Sequence, residues 1–236
     1  MAKSTDIIIV WYGDRTDLDA CIASVEKNCT DYELRVIDNN KVNLGFTKAV
    51  NTGIKAGTCP YVWLINQDAI VLPGAQEALI YRFSYHHKVG IVGSMQRDPD
   101  DQDLIRHGGT LRAFPSGIHK GGRISMGHGQ IPEKNTWVNF ASAMLRRSMI
   151  DEIGPLDEQM FLVYSDSDYC YVARRAGWDV WYEPRSQVLH KLKASRGTSE
   201  WHQKDMQAFM KKWGIVHVPP DKFSVSSGFQ KLDMLP

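Results

Sequence analysis

The first hundred residues alternate unbroken apolar runs with amphipathic stretches of helical period. Ile7 to Tyr12 is a continuous, β-branched run, the pattern of a strand buried on both faces of a parallel sheet. A polar turn, Gly13-Asp14-Arg15, leads into Leu18, Cys21, Ile22 and Val25 at helical spacing. Glu33 to Ile37 reads as a second strand, stopped by Asp38-Asn39-Asn40. Leu44 to Ala56 reads as a helix with Phe46, Ala49, Val50 and Ile54 on one face and Gly57 as its C-cap. Tyr61 to Ile65 predicts a third strand ending in Asn66-Gln67-Asp68. Pro73-Gly74 opens a helix to about His86, and Val89 to Met95 is a fourth strand. Strands and helices in this alternation predict an α/β fold, a mostly parallel central sheet flanked by helices. Such sheets bind ligands beyond the carboxyl ends of their strands, where Asp14, Asp38 and Asp68 all fall.

The second half has another texture. Residues 97–135 are rich in Gly and His and in short strands, which predicts a smaller mixed β region inserted in one domain. Trp137 to Leu145 reads as a central strand, Ser148 to Ile153 as a short helix closed by Gly154-Pro155, and Asp168 to Ala176 as a helix ending at Gly177. Asp179 to Tyr182 is a further strand, and Val188-Leu189 lead to His190. Beyond Ser195 the chain reads as a tail with a helix from Trp201 to Trp213 and one flexible point, Gly197, compatible with a lid.

Composition narrows the classes. Among 236 residues, 28 are Lys or Arg and 27 are Asp or Glu, a formal charge of +1, which argues against nucleic acid as a partner held by bulk charge. Seven Trp, 9 Tyr and 8 Phe argue against general disorder. Cys21, Cys29, Cys59 and Cys170 are scattered without metal spacing, as free thiols in a reducing compartment would be. Met1 to Asp6 precede the first apolar run without a signal-peptide pattern, and the apolar runs are too short to span a bilayer. The expectation is a cytoplasmic protein without a transmembrane segment.

Three sites carry candidate chemistry. Asp68, on the turn after a buried strand, suits either a turn or a hard divalent cation, which prefers oxygen ligands. Asp166-Ser167-Asp168, just ahead of a helix, suits N-capping, with one carboxylate left to face a ligand. His190 ends a short strand and is either structural or part of the site.

Two long segments resemble glycosyltransferase family 2. In NLGFTKAVNTGIKAG, followed by YVWLINQDAIVLPGA, Asn43, Gly45, Phe46, Ala49, Asn51 and Gly53 stand at the family's positions. From Gly154, Asp157, Glu158, Phe161, Asp166, Asp168, Arg174, Gly177, Pro184, Val188, His190 and Ser195 follow in register. The resemblance covers roughly residues 5–195, and its nearest subgroup is rhamnosyltransferase-like. Departures are Ser165 for the Glu of an Glu-Asp-x-Asp motif, Gln67 for Pro, Trp11-Tyr12-Gly13 at the end of the first strand, and Ala141-Ser142-Ala143 where a Gly-Ala pair is usual.

The resemblance implies a GT-A (Rossmann-like) catalytic domain over 1–195, with a nucleotide-sugar half (1–96) and an acceptor half (97–195), and a tail, 196–236. It implies a metal-dependent, inverting transfer from a UDP-, dTDP- or GDP-sugar to a hydroxyl of a glycan or glycoconjugate. Asp166 would be the general base, and Asp68 and His190 would hold Mn²⁺ or Mg²⁺. Asp38, Asn43, Gly45, Asn66, Asp68, Lys191 and Arg196 would contact the sugar nucleotide, and Asp168, His107 and His119 the acceptor. The alternative is a degenerate domain that binds sugar nucleotide without turnover. A nucleotidyltransferase would need a Gly-rich phosphate loop after the first strand, and a glycosidase gives no reason for the Asn43 to Gly53 motif.

Overall fold

The computed structural model describes residues 3–112, 118–190, 199–218 and 228–231. The chain runs β1 (Thr5–Trp11), α1 (Arg15–Asn28), β2 (Tyr32–Asp38), α2 (Gly45–Ala56), β3 (Tyr61–Asn66), β4 (Ala69–Val71), α3 (Ala75–Tyr85) and β5 (Val89–Arg97). The mixed region follows as β6 (Leu104–His107), β7 (Thr110–Arg112), β8 (Ile118–His119), β9 (Gly122–Arg123) and β10 (Glu133–Lys134). Then come β11 (Ser142–Arg146), α4 (Arg147–Ile153), α5 (Ser165–Arg175), β12 (Asp179–His190), α6 (Ser199–Trp213), β13 (Ile215–Val218) and β14 (Gly228–Lys231).

The main sheet has the order β10-β12-β5-β11-β3-β1-β2. β2, β1, β3, β5 and β12 share one direction, and β11 is wedged antiparallel between β3 and β5. The pleat explains the three layers, since successive side chains of a strand face opposite sides. Ile8 of β1 and Leu64 of β3 join one core with Val50 of α2, Met149 of α4, Tyr169 of α5 and Phe209 of α6. Ile7 and Ile9, with Trp63 and Ile65, join the other, against Leu18 and Val25 of α1 and Leu79 and Phe83 of α3. Burial of each such side chain contributes roughly 1.5–3 kcal/mol.

Three expectations change. β12 is one strand from Asp179 to His190, longer than the Asp179–Tyr182 run, because β5 pairs with it on both sides of a bulge between Glu183 and Gln187 and β4 pairs with its end. Residues 137–141 precede the strand rather than belonging to it, since β11 begins at Ser142. α6 is no detached tail: Phe209 and Trp213 lie in the core, so the domain extends past residue 195. Among the described residues no helix is long and apolar enough to cross a membrane. The four cysteines are free and buried.

Candidate active site

The parallel register sets one edge of the site. Trp11 pairs with Asp38, and Val10 with Asn66, so β1, β2 and β3 end together. Asp14 caps α1 by accepting from the Thr16 N–H at 2.7 Å. Asp38 is exposed, and hydrogen bonds from the Asn40 backbone and side chain, helped by Lys41, hold its carboxyl below the usual range. Gln67, which stands in place of a proline, clamps the end of β1. Its Oε1 accepts from Tyr12 N at 2.7 Å and its Nε2 donates to Tyr12 O at 2.8 Å.

Asn43 and Gly45 build the entry to α2. Asn43 Oδ1 accepts from Gly45 N at 3.0 Å, and the buried Asn39 bonds Leu44 N and Gly45 O. Gly45 has φ +75°, and a Cβ there would lie 2.5 Å from both the Phe161 ring and its carbonyl oxygen. That oxygen accepts the Phe46 N–H at 2.7 Å. Gly45 therefore has a packing role, whatever else approaches it. Gly45→Ala combines left-handed strain with a backbone clash, and we expect a loss of about 2–4 kcal/mol in urea unfolding. A loss below about 1 kcal/mol would mean that the Phe161 loop yields freely.

β4 brings the next pair together. It runs antiparallel to β12, with Ala69 opposite His190. His190 Nε2 consequently lies 3.2 Å from Asp68 Oδ1 and 3.4 Å from Asn66 Nδ2. His190 is buried, its Nδ1 meeting Gln96 Oε1 at 3.0 Å. Among the described residues no three His, Cys, Asp or Glu cluster to hold a metal.

Next to this pair opens a cavity of about 270 Å³, lined by Asn66, His119, Trp137, Asn139, Tyr164 and Asp166 among others. Asp166 is not ahead of α5 but in its first turn, because the helix starts at Ser165. The cap is Tyr164, in the left-handed region at φ +67° and without a side-chain capping bond. Its ring stacks on Phe209 of α6 at 5.2 Å, which supplies tertiary support for the strained backbone. Burial pushes the Asp166 carboxyl up to about 6, against the pull of hydrogen bonds from Ser167 and from the Phe140 backbone. A carboxyl so placed is mostly ionised at neutral pH yet more basic than an ordinary carboxylate, which suits it to accept a proton.

Asp168 points elsewhere. Its Oδ1 accepts from Trp213 Nε1 and its Oδ2 from Lys212 Nζ, each at 2.8 Å, so it ties α5 to α6 and does not line the cavity. Burial still raises its carboxyl above the usual range. The two acceptor-side histidines separate. His119 lines the cavity, while His107 is wholly buried behind it, the two Nδ1 atoms 2.8 Å apart. Burial, reinforced by neighbouring imidazoles, holds both below the ordinary histidine range. His107 Nε2 accepts the Asn139 N–H at 3.4 Å, so in the neutral ring its Nδ1 donates to His119. The proton of His119 is thereby left on Nε2. Lys191 and Arg196 lie outside the described residues.

Asp205, Asn139 and Gln96 have no place in either sequence motif. Asp205 of α6 is buried and accepts the N–H groups of Phe161, Leu162 and Val163 at 2.8, 2.7 and 2.8 Å. Its only sequence signal was membership of a polar helix, which does not mark an acceptor for a remote loop.

The sheet carries carboxylates beyond its strand ends and Asp166 on a facing helix, and its fold is GT-A. The fold matches a crystal structure described as GalNAc-T7 with UDP, GalNAc and Mn²⁺ at a TM-score of 0.67 and 12% identity, over 90% of this chain and 48% of that one. Residues 2–212 match the family described as "Glycosyltransferase like family 2", and the chain belongs to that family. It is 29% identical over 182 residues to an "N-acetylglucosaminyl-diphospho-decaprenol L-rhamnosyltransferase" of Mycobacterium tuberculosis (strain ATCC 25618 / H37Rv), covering 66% of this chain. The chain spans 58% of the length of that relative. An uncharacterized protein, y4gI, of Sinorhizobium fredii (strain NBRC 101917 / NGR234) is 24% identical over 189 residues, 74% of this chain and 20% of that protein.

Proposed function

We propose that the chain catalyses metal-dependent, inverting transfer of a sugar from a nucleoside diphosphate to an acceptor hydroxyl. The observation that carries this reading is Asp166, a carboxyl raised to about 6 that shares a cavity with Asn66, the neighbour of the Asp68–His190 pair. Asp166 takes the proton of the acceptor hydroxyl as that oxygen attacks the anomeric carbon opposite the leaving group. This geometry inverts the centre, and general-base assistance is typically worth ~10²–10⁴-fold. The exposed Asp38 carboxylate is placed to meet the nucleoside, with Asn43 at the same edge and Lys191 and Arg196 as basic groups for the diphosphate. His119 offers its Nε2–H to a bound hydroxyl.

Asp68 and His190 would offer a Mn²⁺ or Mg²⁺ ion two ligands, one carboxylate oxygen and one imidazole nitrogen, 3.2 Å apart. Diphosphate oxygens and water complete such a shell. When bound, the ion supplies positive charge where the departing diphosphate gathers negative charge. The mycobacterial relative favours an L-rhamnosyl donor and a lipid-diphosphate-linked sugar as acceptor. Free buried thiols favour a cytoplasmic location.

The test is a thermal-shift panel of UDP, dTDP, GDP and their sugars, with and without Mn²⁺. A ligand that binds only the folded chain raises its melting temperature by mass action. We expect one nucleotide class to stabilise the protein only with Mn²⁺, and Asp68→Ala to weaken that response by about 10–100-fold in apparent affinity. Metal-independent stabilisation, or an unchanged response in Asp68→Ala, would refute the assignment of the pair.

A further inference from the structure

Gln96 is wholly buried on β5, in a position where an apolar residue would serve the sheet at lower cost. Both ends of its amide are occupied. Oε1 faces His190 Nδ1 at 3.0 Å, and Nε2 donates to Asn139 Oδ1 at 3.1 Å. Asn139 Oδ1 also accepts the Ala141 N–H at 2.8 Å, which sets the orientation of the asparagine amide. Its Nδ2 is therefore the end that faces Asp166 Oδ2, in a long contact of 3.5 Å. The donors and acceptors form one consistent chain. Because Gln96 presents an oxygen, His190 carries a proton on Nδ1 and donates it to that oxygen, which leaves Nε2 on the side of Asp68 and Asn66.

We infer that Gln96 and Asn139 are positioning residues. They form a two-amide bridge beneath the cavity that holds the Asp166 carboxylate and the His190 ring in one fixed mutual orientation. The inference rests on the reading of Asp166 as base and of His190 as part of the diphosphate end. Its consequence is that the proton-accepting end and the leaving-group end of the reaction are set by one hydrogen-bonded unit. A hydrogen-bond partner that orients a metal-binding imidazole in this way typically changes metal affinity by about 10–100-fold.

Two substitutions separate the arms. Gln96→Met keeps the volume and removes the acceptor for His190. Asn139→Asp keeps the oxygen that receives Gln96 and Ala141 but removes the donor to Asp166. The first readout is the long-range ¹H–¹⁵N spectrum of the imidazoles in ligand-free protein, with His190→Gln identifying the signal. We expect His190 protonated on Nδ1 alone in the wild type and in Asn139→Asp, and a shifted or averaged tautomer in Gln96→Met. The second readout is stabilisation by Mn²⁺ with UDP, dTDP or GDP, weakened about 10-fold or more in Gln96→Met and by less than about 3-fold in Asn139→Asp. In transfer assays Asn139→Asp should lower kcat about 10–10²-fold with little change in the donor KM. A wild-type His190 protonated on Nε2, or a Gln96→Met chain that matches the wild type in both readouts, overturns the bridge. Because the nitrogen pattern is read without ligand, a chain that answers to no nucleotide refutes the site reading, while the expected pattern still supports the bridge.

Discussion

Asp166→Asn should lower sugar transfer by ~10²–10⁴-fold while making the protein more stable at neutral pH. Both effects follow from one cause. Burial raises the folded-state pKa of Asp166 to about 6, against roughly 3.9 in an unfolded chain. Between about pH 4 and pH 6 the folded state therefore binds more protons, so its stability falls as pH rises through that window, and the loss is complete above about 6. Since the carboxylate keeps some contact with solvent, the cost is on the order of 1–3 kcal/mol. Asparagine cannot ionise and removes it. At roughly 2–4 °C per kcal/mol for a chain of this size, melting temperature should rise by several degrees at pH 7.5, and the gain should shrink toward pH 4. In the wild type, the acid limb of kcat/KM should fall near pH 6 rather than near 4. Calorimetry at both pH values and a pH–rate profile check this. A variant that keeps its activity would remove Asp166 from the mechanism, and one whose gain over the wild type is no larger at pH 7.5 than at pH 4 would show that its ionisation costs the fold nothing.

Asp205→Ala should destabilise the protein strongly although it removes a polar side chain. One carboxylate holds three successive backbone N–H groups, and each charge-assisted bond of this kind is worth about 1.5–3 kcal/mol. Water can reach part of the half-buried 161–163 segment, so the net loss should be about 3 kcal/mol, a drop of roughly 6–12 °C. The effect should spread in two directions. Phe161 receives the first N–H groups of α2, and Leu162, Val163 and Tyr164 line the cavity beside Asp166. Transfer should fall with stability, and hydrogen exchange should quicken at 161–164 and at the start of α2. Lys204→Ala, on the same helix but in an exposed i,i+4 pair with Glu200, should change stability by less than about 0.5 kcal/mol. If the two variants melt alike, the Asp205 clamp carries no weight.

Much of this protein was legible from local pattern. The places of β1, α2 and β3 to within two residues at each end, the Gly57 cap, and the α/β class follow from unbroken apolar runs and a helical period of 3.6, which depend only on neighbouring residues. The edge carrying Asp38, Asn66 and Asp68 follows in turn, because parallel strands must end together. Asp166 and His190 were reached through motif spacing, and the structure sets each on the same side of the sheet as that edge.

What local pattern could not contain is which distant segments become neighbours. The insertion of β11 between β3 and β5, and the pairing of β4 with β12, are choices among strand partners that look equally apolar in sequence. The start of α5 is likewise set by contacts of Tyr164 and of residues 161–163 with α6, not by a capping side chain. The same reason separates Asp166 from Asp168, two identical side chains two residues apart. A helix turn aims the first at the cavity and the second at Lys212 and Trp213, whose positions are fixed only when α6 packs. Sequence by itself determined the layered sheet and the residue types at its ends. Tertiary structure decided which of the two carboxylates faces the cavity, because the partners that turn Asp168 away, Lys212 and Trp213, come from the far end of the chain.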